Sequence, residues 1–456
     1  MAPGSRKNSL RLAGLTDRLA ISPDLATVQA SGHVCKVVGL ALESEGPPAS
    51  VGDLVEVHSA QQPCAPRLAQ VVGFRDGRFL LMPLDGTDGI RAGDRVLKRA
   101  GVLGLPLGPG LLGRVIDGLG RPIDGRGPIT ESYKVLRGDP VPESMTRPRI
   151  RRPFRTGVRA IDTILTCGFG QRVAIMAGSG VGKSTLLGMI ARHSDADVNV
   201  IALIGERGKE VRDFVEDTLG EEGLRKSVVV VVTSDRPAVQ RVKGAETAMA
   251  IAEFFRTEGS DVLVVMDSLT RYAMAQREIG LAAGEPPATR GYPPSVFGLL
   301  PRLLERAGTS PEGSITGFFT VLVEGDDMHD PVGDTVRGIV DGHIVLSREL
   351  ATAGHYPPID VLESVSRVSN TVCPPAQQAL AQDVRETLAV YRRAADLIDI
   401  GAYKEGANPK VDRAVRLKPS LDSFLRQTMD DSTPWSESVA ALEEIVAAAP
   451  SRRSGS

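Results

Sequence analysis

"AGSGVGKST", residues 177–185, is the stretch that decides the fold. Glycines at 178, 180 and 182 let backbone N–H groups curl around phosphate oxygens, and a helix starting there turns its positive N-terminus toward the same anion. Lys183 is placed to reach the β- and γ-phosphates, and the Ser184 hydroxyl to meet Mg²⁺. The strict glycine pattern is broken once, by Ala177 at its first position. A glycine-rich turn that merely contains Lys-Ser would lack the flanking context: "QRVAIMAG" reads as an apolar strand and the residues from about Lys183 as a helix. The expected nucleotide-binding residues are therefore Gly178, Ser179, Gly180, Val181, Gly182, Lys183, Ser184 and Thr185.

Outward from the loop, residues 150–345 alternate apolar strands with helices. "NVIALIG", "SVVVVVTS", "DVLVVMDS" and "SITGFFTVLVE" are continuous apolar runs, the pattern of a mainly parallel sheet buried on both faces. "GAETAMAIAEFFRTEG" reads as a crossover helix. Asp267 follows one of these strands. Such an Asp is ordinarily a turn or cap residue, but downstream of a phosphate loop it is expected to hold Mg²⁺, usually through water. Glu206, just beyond "NVIALIG", is the candidate that orients the attacking water; an ion pair with Arg207 or Lys209 is its alternative role.

Composition bounds the rest. The 456 residues are too many for one ordinary core. Lys and Arg total 54 against 56 Asp and Glu, a balance that argues against a protein whose main task is coating nucleic acid. Four cysteines without paired spacing point to a reducing compartment. His33, Cys35, His58 and Cys64 lack the tight Cys spacing of a structural zinc site, so no structural zinc is expected. No apolar run reaches the length of a bilayer span and the first residues lack a secretory apolar core, so a cytosolic protein is expected. "SRKNSLRLAGLTDRLA" combines four basic residues with leucines at helical spacing; it reads equally as a docking helix for a partner or anionic lipid and as a frayed leader.

Residues 25–98 read as short strands closing into a small barrel, in "HVCKVVGLAL", "DLVEVHS", "LAQVVGF" and "RFLLMPL". A Gly- and Pro-rich stretch then leads into the nucleotide-binding domain, taken as 99–372 with its linker. Beyond it, 373–440 is helical in character and 441–456 is expected to be a flexible tail.

The blocks "AGSGVGKST", "GERGKE", "DSLTRYAMAQREIGLAAGEPPATRGYPPSVF", "DTVRGIVDGHIVLSREL" and "HYPPIDVLESVSRV" resemble those of rotary ATP synthase catalytic subunits and, more closely, the ATPases of type III secretion systems, above all the flagellum-specific branch. The resemblance runs from about residue 25 to 435. It implies an α/β fold: a RecA-like P-loop NTPase core with an N-terminal β-barrel and a C-terminal helical domain. It implies that Glu206 is the catalytic carboxylate, that Lys183, Ser184 and Asp267 are the phosphate and magnesium residues, and that Tyr356 in "HYPP" packs against adenine. A tyrosine buried between domains is the alternative for Tyr356. An arbitrary arginine is a surface or packing residue, but Arg367 in "SVSRV" matches the arginine finger that a neighbouring subunit supplies. There a guanidinium stabilises the charge gathering on the γ-phosphoryl oxygens.

The same resemblance implies Mg²⁺ with ATP as the cofactor pair and a homo-hexamer when assembled. It implies a stator or regulator protein bound to residues 1–24, a central stalk-like protein, an export gate, and export substrates with their chaperones. Peripheral association with the inner membrane follows, and no specific nucleic acid. "GAYKEGANPKVD" replaces the acidic run by which rotary synthase subunits meet their shaft, which favours the secretion branch. Lys209 stands where many relatives carry arginine, and His329 has no assigned role. Three other readings remain open here: a virulence-type secretion ATPase, an RNA-dependent ring helicase of the transcription-terminator type, and a structural ring subunit with little turnover.

Overall fold

The computed structural model describes residues 30–59, 66–99, 104–130, 133–135, 142–143, 145–323 and 330–448. The expectations for the regulator-binding segment 1–24 and for His329 lie outside them. The chain forms two compact units, one of residues 1–83 with 87–100 and one of 84–86 with 101–456.

In the first unit six strands close a barrel in the order β1-β2-β5-β4-β3-β6, with β1 Ser31–Val38, β2 Ala41–Glu45, β3 Leu54–His58, β4 Arg67–Arg75, β5 Arg78–Pro83 and β6 Arg95–Lys98. The inward residues Val34, Leu42, Val55, Val57, Val71, Leu81 and Val96 fill it. The β-rich run "HVCKVVGLAL" is a hairpin. Val38 pairs with Ala41 across a turn at Gly39, whose φ of 57° is open to glycine and strained for most other residues. At the Asp76-Gly77 turn both residues have positive φ, the requirement of a two-residue hairpin whose twist matches its strands.

The second unit is built on a sheet. Two short pairs precede or flank it, β7 (Gly104–Pro106) with β9 (Tyr133–Val135) and β10 (Pro153–Phe154) with β11 (Cys167–Gly168). The main path runs β19-β18-β12-β17-β15-β13-β14-β8, with β8 Arg114–Asp117, β12 Arg172–Ala177, β13 Val198–Glu206, β14 Ser227–Thr233, β15 Asp261–Asp267, β17 Ser314–Leu322, β18 Gly342–Leu346 and β19 Ile359–Ser366; the short β16 (Gly308–Thr309) pairs antiparallel with β17. From β8 to β18 every neighbour is parallel, and β19 alone on this path is antiparallel. The continuous valines and isoleucines are buried because helices cover both faces, with separate apolar clusters on each.

Two local surprises have steric causes. The Gly- and Pro-rich linker supplies β8, the far edge strand. Arg114 and Asp124 lock its return through bonds of 2.7 and 3.0 Å, while Asp124 also accepts the Val115 and Arg126 N–H groups. The crossover helix, expected to begin at Gly244, spans Ala238–Thr257 and carries Gly244 in its interior. Glycine there costs about 1 kcal/mol against alanine, yet a Cβ would stand 2.5 Å from Val232 Cγ2 and 3.0 Å from Ile204 Cδ1, so the close helix-to-sheet approach requires it.

The C-terminal helices are Pro375–Asp399, Pro409–Leu425 and Trp435–Ala447. Residues 441–447, expected in a flexible tail, finish the third helix because Leu442 is fully buried. All three join one apolar cluster, which holds Leu380, Leu388, Leu417, Phe424 and Leu442 together with Leu186, Leu187 and Ile190 of the helix that follows the phosphate loop.

The Arg114 guanidinium is the main reason the Asp124 carboxyl is held far below the usual carboxylate range. Asp124→Ala is expected to destabilise the fold by about 2 kcal/mol, between the exposed and fully buried limits for an ion pair. A depressed folded pKa gives stability that is complete above the unfolded carboxylate value near about pH 4 and is lost as pH falls. Urea unfolding followed by circular dichroism should therefore show the wild-type advantage at neutral pH and its shrinkage in acid.

Candidate functional site

Parallel strands leave all their carboxyl ends on one edge, and ligands bind there in open α/β sheets. Strand β12 ends at Ala177 and gives way to the loop Gly178–Gly182 and the helix Lys183–His193. Gly180 and Gly182 have φ of 75° and 99°, so the glycines sit where the curl of the loop demands them. On neighbouring strands β13 ends at Glu206 and β15 at Asp267. The sheet thus brings together three of the expected groups.

Lys183 lies between the two carboxylates. Its Nζ is 2.5 Å from Asp267 Oδ1 and 3.7 Å from Glu206 Oε1. Asp267 is 3% exposed and also accepts a 2.8 Å hydrogen bond from the Thr320 hydroxyl on β17. Burial first, and the adjacent Asp267 charge second, push the Glu206 carboxyl up to about 7 against the pull of Lys183. Glu206 does not pair with Arg207, which lies 3.6 Å from Glu210 instead. A buried and a half-buried carboxylate facing one ammonium, with the Ser184 position at the helix start, form a hard-oxygen set short of positive charge, which fits a divalent cation such as Mg²⁺.

Tyr356 closes the loop from above. Its ring carbons come within 3.5 and 3.6 Å of where a Cβ on Gly182 would stand, and the residue is 45% exposed. The burial that would mark a purely structural tyrosine is absent.

Arg367 is elsewhere. Strand β19 runs against β18, pairing Leu346 with Ile359 and Gly342 with Ser366. Ala177 is level with Leu346, whereas Arg367 donates its backbone N–H to Asp341, which donates its own to Arg172 at the start of β12. The arginine and the phosphate loop of one chain therefore occupy opposite edges of the sheet, about 16 Å apart along β12 alone at roughly 3.3 Å per residue. The root of the arginine is fixed, with Ser366 bonded to Thr166 and Gln171. Its side chain is exposed, with Nη2 on the Arg337 carbonyl at 3.2 Å.

Two neighbours of the site escaped the sequence reading. Thr320 sits mid-strand in an apolar run, and only the β15–β17 pairing reveals that it braces Asp267. Arg271 lies inside "DSLTR", quoted above without a role. It packs so close to Gly205 that a Cβ there would stand 2.9 Å from its own Cβ, on the turn leading to Glu206.

Elsewhere, His33, Cys35 and Glu45 on the barrel bring their ligand atoms within 4.8 Å of one another. Arg78 already stands 3.5 Å from Glu45, answering its charge. Among the described residues no helix is long and apolar enough to cross a membrane.

With this geometry in place, comparison with known proteins is direct. Residues 157–366 match the model of the ATP synthase alpha/beta family nucleotide-binding domain, 34–99 that family's beta-barrel domain, and 373–444 the T3SS EscN ATPase C-terminal domain. The flagellum-specific ATP synthase of Bacillus subtilis (strain 168) is 51% identical over 91% of this chain and 94% of its own length. The type 3 secretion system ATPase of Sinorhizobium fredii is 48% identical over 91% and 92%. Among solved structures, the assembled ATPase EscN of the enteropathogenic E. coli type III secretion system superposes with a TM-score of 0.84 at 42% identity, covering 91% of this chain and 99% of that one. The same ATPase in complex with its central stalk EscO gives 0.82.

Thr320→Val keeps the shape of the strand and removes the hydroxyl that orients Asp267. Loss of such an outer partner costs about tenfold or more in metal affinity or activity. ATPase activity titrated with free Mg²⁺ should show a half-saturating concentration raised by about tenfold.

Proposed function

The chain belongs to the ATP synthase alpha/beta family, in the branch of the flagellum-specific and type III secretion ATPases, and on that premise we propose that it hydrolyses ATP to ADP and phosphate to drive flagellar protein export. The flagellar assignment draws on its 51% identity to the flagellum-specific enzymes of Bacillus subtilis and Treponema pallidum. The 48% identity to a secretion-system ATPase keeps the virulence-type apparatus as the second reading.

ATP lies with its phosphates on the backbone N–H groups of residues 178–185 and its base against Tyr356. Lys183 swings between carboxylate and phosphate oxygens, neutralising charge on the β- and γ-phosphates. Ser184 and Asp267, the latter through water, would hold Mg²⁺, which supplies further neutralisation of the phosphate oxygens when bound. Glu206, poised near neutrality by burial and by Asp267, accepts a hydrogen bond from the attacking water and aligns it with the γ-phosphorus.

Developing negative charge on the γ-phosphoryl oxygens then needs a cation that the same chain cannot deliver, because Arg367 is rooted at the other edge of the sheet. This placement carries the proposal. A neighbouring copy, docked head to tail, presents its Arg367 to the pocket, and repetition of that contact closes a homo-hexameric ring. As a transition-state interaction the finger acts on kcat more than on binding. EscN is described in an assembled form and with a central stalk. By analogy, the axial face of this ring meets a stalk-like protein, the export gate, and substrates with their chaperones. Residues 1–24 meet a stator or regulator, and the whole is a cytoplasmic assembly held at the periphery of the inner membrane.

Mixing two inactive variants tests the completion in trans. Glu206→Gln should bind ATP but lose about a hundredfold or more in turnover; Arg367→Ala should do likewise. Co-assembled in equal amounts, pockets of the second variant meet fingers of the first at about a quarter of interfaces, so phosphate release should recover toward that fraction. No recovery in assemblies shown to contain both chains would overturn the proposal.

A further inference from the structure

The turn that carries Tyr356 is hydrogen-bonded to the C-terminal helical region through Gln427. Gln427, in the segment between helices Pro409–Leu425 and Trp435–Ala447, is 6% exposed. Its backbone N–H donates to the Tyr356 carbonyl at 2.8 Å. Its side-chain amide donates to the carbonyls of Gly157 and Asp431, both at 2.7 Å, and its Oε1 accepts the Arg159 N–H at 2.9 Å. Every strong hydrogen-bonding group of the amide is thus engaged by backbone, and none is left for a ligand.

The partners of Gln427 lead back to the phosphate loop. Gly157, at φ 76°, lies so close to His193 that a Cβ would stand 2.3 Å from the histidine Cβ. His193 and Arg192 are the last two residues of the helix that begins with Lys183, and they bond to the Met429 carbonyl at 2.9 Å and to Asp430 at 2.7 Å. Arg159 closes the segment from its other side, bonding to the Phe424 and Arg426 carbonyls and to Asp431. One residue therefore references both ends of the nucleotide pocket: the turn from which the Tyr356 ring hangs, and the far end of the helix whose start cradles the phosphates.

We infer that Gln427 is a positioning residue that sets the distance between the aromatic base seat and the phosphate loop, so that binding uses base and phosphates together. The inference rests on the reading of Tyr356 as the base seat. Loss of the side-chain amide leaves the backbone bond to Tyr356 but releases Gln427 from Gly157, Arg159 and Asp431, so that turn and ring drift together from Gly182 and ligands that contact both ends are weakened. Ligands that contact the phosphate loop alone are left unaffected. A residue that merely supported the fold would weaken both classes alike.

The test uses the full-length chain with Mg²⁺ and two probes, the non-hydrolysable ATP analogue AMP-PNP and inorganic tripolyphosphate, which has no base. Calorimetric titration of Gln427→Met should show AMP-PNP weakened about five- to tenfold, as the loss of buried hydrogen bonds predicts. Tripolyphosphate should stay within about twofold, and in turnover the loss should fall on KM more than on kcat. Arg159→Lys, which loosens the same segment from outside, should act in the same direction and decides the matter if Gln427→Met does not fold. Tyr356→Ala is the reference. If it separates the two probes and the Gln427 and Arg159 variants do not, the inference falls alone; if it fails to separate them, the base seat falls and the inference with it.

Discussion

A parallel strand buried on both faces has its carboxyl end fixed to one edge of the sheet, and the chemistry of this protein follows from that direction. Strands β12, β13 and β15 all deliver their last residues to one edge, where backbone geometry sets the phosphate loop, Glu206 and Asp267 side by side. Strand β19 runs the other way. Its last residues, and Arg367 after them, emerge at the edge where the others begin. A chain folded in this way holds a pocket and a finger that do not meet. On the proposed reading this incompleteness makes assembly consequential: a solitary chain would hold nucleotide without the guanidinium, and a ring of copies would complete a site at every contact.

Within the pocket the governing balance is electrostatic. Two carboxylates and one ammonium share the pocket, and burial first, with the adjacent Asp267 charge second, raises the Glu206 carboxyl against the pull of Lys183. Two carboxylates beside one ammonium favour a further cation over a further isolated anion. Asp267 keeps its orientation through Thr320, and the loop keeps its curl through glycines whose φ values most side chains would oppose. Pre-set geometry of this kind places dipoles and charges before the reaction begins, which is the cheapest time to place them.

Much of this was legible in the sequence, for reasons that differ by element. The phosphate loop declares itself because its glycines, lysine and hydroxyl are contiguous and its strand and helix flank it directly. Glu206 and Asp267 each follow an apolar run, so their place at a strand end was readable, although their proximity depends on strand order. Thr320 was unreadable, since a threonine within "SITGFFTVLVE" carries no local mark of the carboxylate it meets at the end of the neighbouring strand. The β1–β2 turn was hidden by a leucine at its second position, the register of Gly244 by a contact with Val232, and the helix at 441–447 by the single buried side chain Leu442. Arg367 shows the limit most clearly. Its motif was plain in the residues, but its separation from the phosphate loop of its own chain lies in the reversed direction of one edge strand.

The central claim is that one copy's guanidinium completes its neighbour's pocket. The direct measurement is a structure of the assembled enzyme trapped with Mg²⁺, ADP and a planar γ-phosphate mimic. The account predicts the Arg367 guanidinium of the adjoining copy within hydrogen-bond distance of the mimic, released from the carbonyl of its own Arg337. A guanidinium still resting on that carbonyl, with the mimic bound and the ring closed, would contradict it.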